Sequence, residues 1–164
     1  MGRNGEVLLR FGSVVKTVNY FVDEYARVLD DKGRIVLPTK VREKLGDTVF
    51  ITRAPADKCL YMYTEEEWGK LAEKLENLPT STDRNAGAFV RMFFGKASAC
   101  SIDKQGRISI TPRLLKYAGL DKNIMLIGAN NRLEIWDTET WDDYQDELSE
   151  NVVLDGILKY DLNI

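Results

Sequence analysis

Apolar and polar positions along the chain form a pattern that occurs twice. Phe21 to Leu29 reads as an extended segment, and so does Lys96 to Ile102. A short β-rich run comes next in each case, Ile35-Val36-Leu37 or Ile108-Ser109-Ile110. A proline then opens a short helix: Pro38 before Thr39–Leu45, and Pro112 before Arg113–Ala118. Gly46 and Gly119 stand where C-terminal caps are expected. Two further strands are predicted near 48–53 and 58–63, and near 123–128 and 131–136, with Asn130-Asn131 as the turn between the second pair. Each unit closes with a longer helix. Thr64 heads one, with Glu67 at capping-box spacing and a stripe of Leu71, Leu75 and Leu78. Asp137 or Thr138 starts the other, whose stripe is Trp141, Tyr144 and Leu148. An additional helix, opened by Ser81 or Thr82 and carrying Phe89, Val90, Phe93 and Phe94, links the two units.

The repetition is literal at its anchors. Asp30-Asp31-Lys32-Gly33-Arg34-Ile35 returns 73 residues later as Asp103-Lys104-Gln105-Gly106-Arg107-Ile108. The same offset carries Gly46 to Gly119, Leu60 to Leu133 and Trp68 to Trp141. Val49-Phe50-Ile51 meets Ile124-Met125-Leu126 at an offset of 75, so small compensating gaps exist. The chain is a tandem duplication over about 21–80 and 94–150. Trp68 and Trp141 are expected to be packing anchors, within a copy or between copies.

Composition removes most catalytic chemistry. The 164 residues include no histidine, which excludes Ser-His-Asp and Cys-His pairs and imidazole metal ligands. Two cysteines, Cys59 and Cys100, can close neither a four-ligand thiolate site nor a disulfide framework. The longest apolar run, Ile124 to Ala129, is too short to span a membrane. The first twenty residues lack the apolar block and cleavage site of a signal peptide, so a cytoplasmic protein with free thiols is expected.

The net charge of −3 hides a strong alternation. Residues 27–53 carry a net +3 and 84–133 a net +7, whereas 54–83 carry −4 and 134–164 carry −9. Charges beyond a Debye length of about 8–10 Å are screened, so an acidic protein can still present a basic face. The repeated D-x-x-G-R turn is where that face is most specific. Glycine supplies positive φ, and the aspartate accepts hydrogen bonds from turn amides. A hairpin with a surface arginine explains the motif without any function. The functional reading adds that Lys32 with Arg34, and Lys104 with Arg107, place two cations at each tip. There a guanidinium can grip phosphate or pair with guanine O6 and N7. An enzyme built on the carboxylates of Glu65-Glu66-Glu67 or Asp142-Asp143 is the weaker reading, because adjacent helix residues do not face one another. A ring-forming scaffold or antitoxin-like interaction module, with the acidic tail as partner site, is a third.

Several runs resemble the MraZ family. In the first half these are Phe21-Val22-Asp23-Glu24-Tyr25, Asp30 to Arg34, Pro38-Thr39-Lys40-Val41-Arg42-Glu43, Cys59-Leu60 and Glu67-Trp68. In the second they are Phe89 to Phe94, Asp103 to Arg107, Tyr117-Ala118-Gly119-Leu120 and Asn131 to Trp136. The resemblance covers about 20–148 and implies an α+β fold of two tandem AbrB-like (SpoVT-like) swapped-hairpin β-barrel halves with flanking helices, related by a pseudo-two-fold. It implies a transcriptional regulator, usually a repressor, of the division and cell-wall gene cluster. Such a regulator is a ring-shaped homo-oligomer that binds short tandem repeats in double-stranded DNA upstream of its own gene. It would be cytoplasmic and nucleoid-associated. The family's D-x-x-x-R contact transfers to Asp30 and Arg34, and in the second copy to Asp103 and Arg107. Lys32, Lys40 and Lys104 are the accompanying cations, and Gly33 and Gly106 the turn glycines. Lys32 matches the family's K-G-R lysine while Gln105 does not, which favours the first turn for base reading. No catalytic residue, cofactor, metal, membrane or small-molecule substrate is expected. The expected organisation is an N-terminal extension 1–19, a first copy 20–80, a connecting helix 81–93, a second copy 94–148 and an acidic tail 149–164. The second copy has Ile110-Thr111-Pro112 where the family has Ile-Pro one place earlier.

Overall fold

A computed structural model describes residues 7–11, 14–18 and 20–164, with side chains from residue 20 onward. Part of the extension expected over 1–19 therefore lies outside the described residues; within it, β1 (Val7–Phe11) pairs antiparallel with β2 (Val14–Val18). The first copy then runs β3 (Glu24–Val28), β4 (Arg34–Val36), α1 (Thr39–Arg42), β5 (Thr48–Arg53), β6 (Leu60–Thr64) and α2 (Glu65–Glu76). After α3 (Arg84–Phe93), the second runs β7 (Ser98–Ser101), β8 (Arg107–Ser109), α4 (Pro112–Ala118), β9 (Asn123–Gly128), β10 (Leu133–Asp137) and α5 (Thr138–Glu147). A last helix, α6 (Val152–Lys159), follows. The fold is α+β, with antiparallel pairing throughout the described strands.

The copies do not fold side by side. The six-stranded sheet has the order β3-β9-β10-β6-β5-β7, so the first strand of each copy pairs with a strand of the other. β3 lies against β9 and β7 against β5, while β10 meets β6 at the centre. A separate two-stranded ribbon joins β4 to β8, with Ile35 opposite Ile108. Exchanging the copies leaves this pairing unchanged. The smaller bonds obey it too: Leu29 N–H donates to Lys122 O at 2.8 Å and Ile102 N–H to Asp47 O at 2.9 Å.

The core explains why the halves need each other. The twelve largest fully buried side chains divide six and six: Ile35, Leu37, Val49, Ile51, Leu60 and Met62 from the first copy, and Ile108, Leu114, Ile124, Leu126, Leu133 and Ile135 from the second. They form one cluster. Burying each contributes about 1.5–3 kcal/mol, so one copy alone would expose a sheet face that has no other cover. Two satellite clusters lie under the longer helices. Trp68 stacks on Phe50 and Phe94, with ring centroids at 5.2 and 4.2 Å. Trp141 packs on Trp136 and Tyr144, and its indole N–H donates to Glu24 Oε1 at 3.0 Å, so it bridges to the other copy. The buried Thr52 hydroxyl donates to Phe93 O and fixes the end of α3 to the sheet. Both cysteines are buried and unpaired.

Four local expectations are corrected. Helix α3 is capped by Asp83, not by Ser81 or Thr82; Asp83 Oδ1 accepts from Asn85 and Ala86 N–H at 2.8 and 3.1 Å. The Thr82 and Asp83 amides are turned back onto Pro79 O, which leaves the carboxylate as the group that faces the open helix end. Gly119 is a left-handed cap at φ 59°, but Gly46 caps nothing, because α1 ends at Arg42 on the right-handed residue Glu43. Pro38 occupies the N-cap position of α1, whereas Thr111 caps α4 and Pro112 starts it; the two helices begin at equivalent positions, but α1 runs four residues and α4 seven. Leu78 lies beyond the end of α2, which stops ahead of Pro79. Leu148 terminates α5 and is 40% exposed, so it is no part of a buried stripe.

Candidate nucleic-acid interface

Both D-x-x-G-R turns are closed by the same bonds. Asp30 N–H donates to Arg34 O at 3.0 Å, and Gly33 N–H to Asp30 O at 3.1 Å. In the second turn Asp103 N–H donates to Arg107 O, and Gly106 N–H to Asp103 O, both at 3.0 Å. Gly33 and Gly106 have φ 74° and 76°, a region that costs any residue with a Cβ. Space for a Cβ is tight as well. At Gly33 it would sit 3.2 Å from both Ile110 O and Leu115 Cδ1. At Gly106 it would fall against the Arg42 side chain, 2.6 Å from Cδ and 2.7 Å from Cζ.

The aspartates turn inward, onto their own loops. Asp30 Oδ1 accepts from Lys32 and Arg34 N–H at 2.9 and 2.8 Å, and Oδ2 accepts from Arg34 Nε at 2.7 Å. Asp103 repeats this with Gln105 N–H, Arg107 N–H and Arg107 Nε at 2.9, 2.9 and 2.7 Å. Partial loss of water works to raise the Asp30 pKa, but the bonds from the Arg34 and Lys32 amides and the Arg34 guanidinium outweigh it and hold the carboxyl below its ordinary value. At Asp103 the Arg107 amide bond is the largest influence, and the result is also a lowered pKa. Each carboxylate fixes its arginine at Nε; Arg107 also donates through Nη2 to Gln105 Oε1 at 2.8 Å, inside its own turn.

The ribbon then sets where the arginines stand. Alternate strand residues point to opposite faces. Ile35 and Ile108 are paired and buried, so Arg34, Val36, Arg107 and Ser109 share the outer face. Arg34 is opposite Ser109 and Arg107 opposite Val36. The two arginines are diagonal neighbours, about 7–8 Å apart across the strands. The turns themselves lie at opposite ends of the ribbon. Lys32 and Lys104 are exposed in them.

Two cations escaped sequence reasoning. Arg113 is the repeat equivalent of Lys40, and both are exposed on the short helices α4 and α1. Aligning the copies could have found it. Arg42 is less legible. Its equivalent is Leu115, and the helices cross: α4 of the second copy backs the first turn through Leu115, and α1 of the first copy backs the second turn through Arg42. Lys40, which shares α1, is thereby carried to the side of the second turn.

Of the carboxylates considered as catalytic, Glu65, Glu66 and Glu67 lie in the first turn of α2, and Asp142 and Asp143 lie within α5. Thr64 Oγ1 accepts from Glu67 N–H at 3.1 Å, and Lys70 pairs with Glu67 at 2.9 Å and with Glu66 at 3.7 Å. Among the described residues no group of three or more Asp, Glu, Cys or His is placed to hold a metal, and no helix is long and apolar enough to cross a membrane.

Fold and site together define a duplicated, strand-exchanged chain that displays two aspartate-braced arginines on one ribbon. Comparison with known sequences identifies the class further. The family model described as "MraZ protein, putative antitoxin-like" matches residues 20–89 and 93–155. A protein of Ligilactobacillus salivarius named Transcriptional regulator MraZ is 44% identical over 144 residues, covering 87% of this chain and 99% of the relative. One of the same name from Clostridium tetani is 48% identical over 126 residues, covering 77% of this chain and 87% of its own length. The chain belongs to the MraZ family.

Proposed function

We propose that this protein is a sequence-specific DNA-binding transcriptional regulator, acting as a repressor of the division and cell-wall gene cluster. It recognises short tandem repeats in the double-stranded DNA upstream of its own gene. The observation that carries this reading is the braced arginine: Asp30 holds Arg34 at Nε on the outer face of the ribbon, and among the described residues its Nη groups donate to no protein acceptor. Arg34 reads base edges there, and Lys32, Lys40, Lys104 and Arg107 hold phosphates. Asp30 and Asp103 act through the arginines they position, since a carboxylate would itself repel the backbone. Gly33 and Gly106 let both turns form. The names of the two relatives support a regulatory role.

The copies, taken as 20–80 and 94–148, are the interlocked halves of a swapped-hairpin barrel, joined through 81–93. One protomer makes few contacts and binds weakly. A ring of protomers presents many turns at high effective concentration, so tandem repeats gain affinity by multivalency. Such a protein acts in the cytoplasm at the nucleoid and needs no cofactor. Fluorescence anisotropy tests the reading on DNA from upstream of the gene and on a shuffled duplex of equal length. The expected result is at least tenfold tighter binding of the native duplex. With roughly six phosphates neutralised, log Kd against log salt should have a slope near 5. Equal binding of both duplexes, or a flat salt response, refutes it.

A protein-interaction role is the second reading, favoured by α6. This helix leaves Val153, Leu158 and the following Tyr160 67–71% exposed. Under that reading Arg34→Ala changes no binding partner; under the first it abolishes DNA preference and leaves oligomer size unchanged.

A further inference from the structure

The two turns share one backbone but differ in three side chains, and on balance the differences make the second turn the more cationic. Lys32 in the first is Gln105 in the second, Asp31 is Lys104, and the residue packed behind the turn is Leu115 for the first and Arg42 for the second. The first turn, residues 30–34, has no net charge. The second, 103–107, carries +1 before Arg42 is added.

The arginines differ accordingly. Arg34 is bonded only through Nε, to Asp30; among the described residues its Nη groups donate to no protein acceptor. Its fork is available for a planar, two-point partner such as a guanine edge. Arg107 is bonded twice, at Nε to Asp103 and at Nη2 to Gln105 Oε1 at 2.8 Å. One of its Nη donors is thereby spent inside the turn, whereas none of those on Arg34 is.

Arg42 completes the contrast. Its stem lies against Gly106, in space that the left-handed glycine leaves open. Nη2 donates to Thr39 Oγ1 at 3.2 Å, and the buried Nε has no partner. Among the described residues no carboxylate lies within ion-pairing distance. A half-buried guanidinium without a counter-ion favours an incoming anion, and a duplex offers phosphate.

We propose that Arg42 and Lys104 form a backbone-phosphate site beside the second turn, so that this turn grips the duplex while the first turn reads bases. The site draws its two cations from different copies, and the crossed packing of α1 behind the second turn creates it. This inference rests on the DNA-binding reading above.

The test is anisotropy of the full-length protein on the native and shuffled duplexes across a salt series. Arg42→Leu places the side chain of Leu115 at the equivalent position, so the turn keeps an apolar backing. It should weaken both duplexes by the same factor and make the salt slope shallower by about one for each protomer engaged. Arg42→Lys should restore the slope. Lys104→Gln, at an exposed position, should act like Arg42→Leu and serves if the latter proves unstable. Arg34→Ala should instead erase the preference for the native duplex. The inference is overturned if removing the Arg42 and Lys104 charges leaves the slope unchanged, or if it lowers the native-to-shuffled ratio as Arg34→Ala does. In either case a wild-type preference for the native duplex would leave the DNA-binding reading standing. Loss of that wild-type preference would sink both.

Discussion

Ile35 and Ile108 face each other across the ribbon that joins the two copies, and both are fully buried. Truncating either to alanine removes buried methyl groups and leaves a cavity. The three-residue strands cannot close it without unpairing the ribbon. Ile108→Ala should therefore cost about 3–4 kcal/mol, within the 2–5 typical of such changes. For a chain of this length, at about 2–4 °C per kcal/mol, that lowers Tm by about 7–14 °C. The double variant should fall short of the sum by about 1 kcal/mol, because the contact between the two side chains is lost only once. Since one core serves both copies, the whole protein should respond as one unit. Urea unfolding at fixed protein concentration can be followed by Trp68 in a W136F/W141F background, and by Trp136 and Trp141 in a W68F background. Ile108→Ala should shift both transitions equally. A variant that destabilises the second copy while the Trp68 transition stays in place would refute the shared core.

Acid sensitivity is a second expectation. The folded Asp30 and Asp103 carboxyls are held below the ordinary value of 3.8, so their contribution to stability is complete above that pH and is lost as pH falls below it, through the lower folded-state value. Asp30→Asn with Asp103→Asn should flatten the fall in Tm below about pH 4; an acid limb as steep as that of the wild type would contradict this. The two aligned glycines should also part company. Gly119→Ala forces a Cβ into the left-handed cap at φ 59° and should cost about 1–2 kcal/mol. Gly46→Ala, with open space and no positive φ, should be neutral or stabilising by up to about 1 kcal/mol, as read by thermal melts.

Those glycines show what a sequence reveals and what it withholds. The duplication, the turns and the identity of the core were legible because equivalent positions repeat the same residue types: Ile35 with Ile108, Leu60 with Leu133, Trp68 with Trp141. The different fates of Gly46 and Gly119 were not: the two helices start at equivalent positions, and only α4 runs on to its glycine, a difference that the repeated residue type does not announce. Asp83 was hidden among three consecutive capping residues, and only the bonds to Pro79 O select it. The exchange of β3 and β7 between copies was not in the apolar pattern; only the family resemblance implied swapped halves. A strand's own pattern names the face it buries but not the strand beside it. Arg42 follows from that exchange, since its place behind the second turn exists only once α1 has crossed over.

The claim that Arg34 reads bases through its fork is tested most directly by Arg34→Lys, which keeps the charge and removes the planar two-point donor. The account predicts that the native-to-shuffled preference falls by about tenfold or more, while affinity for the shuffled duplex and the salt slope stay near their wild-type values. An Arg34→Lys protein that still prefers the native duplex as strongly as the wild type would contradict it.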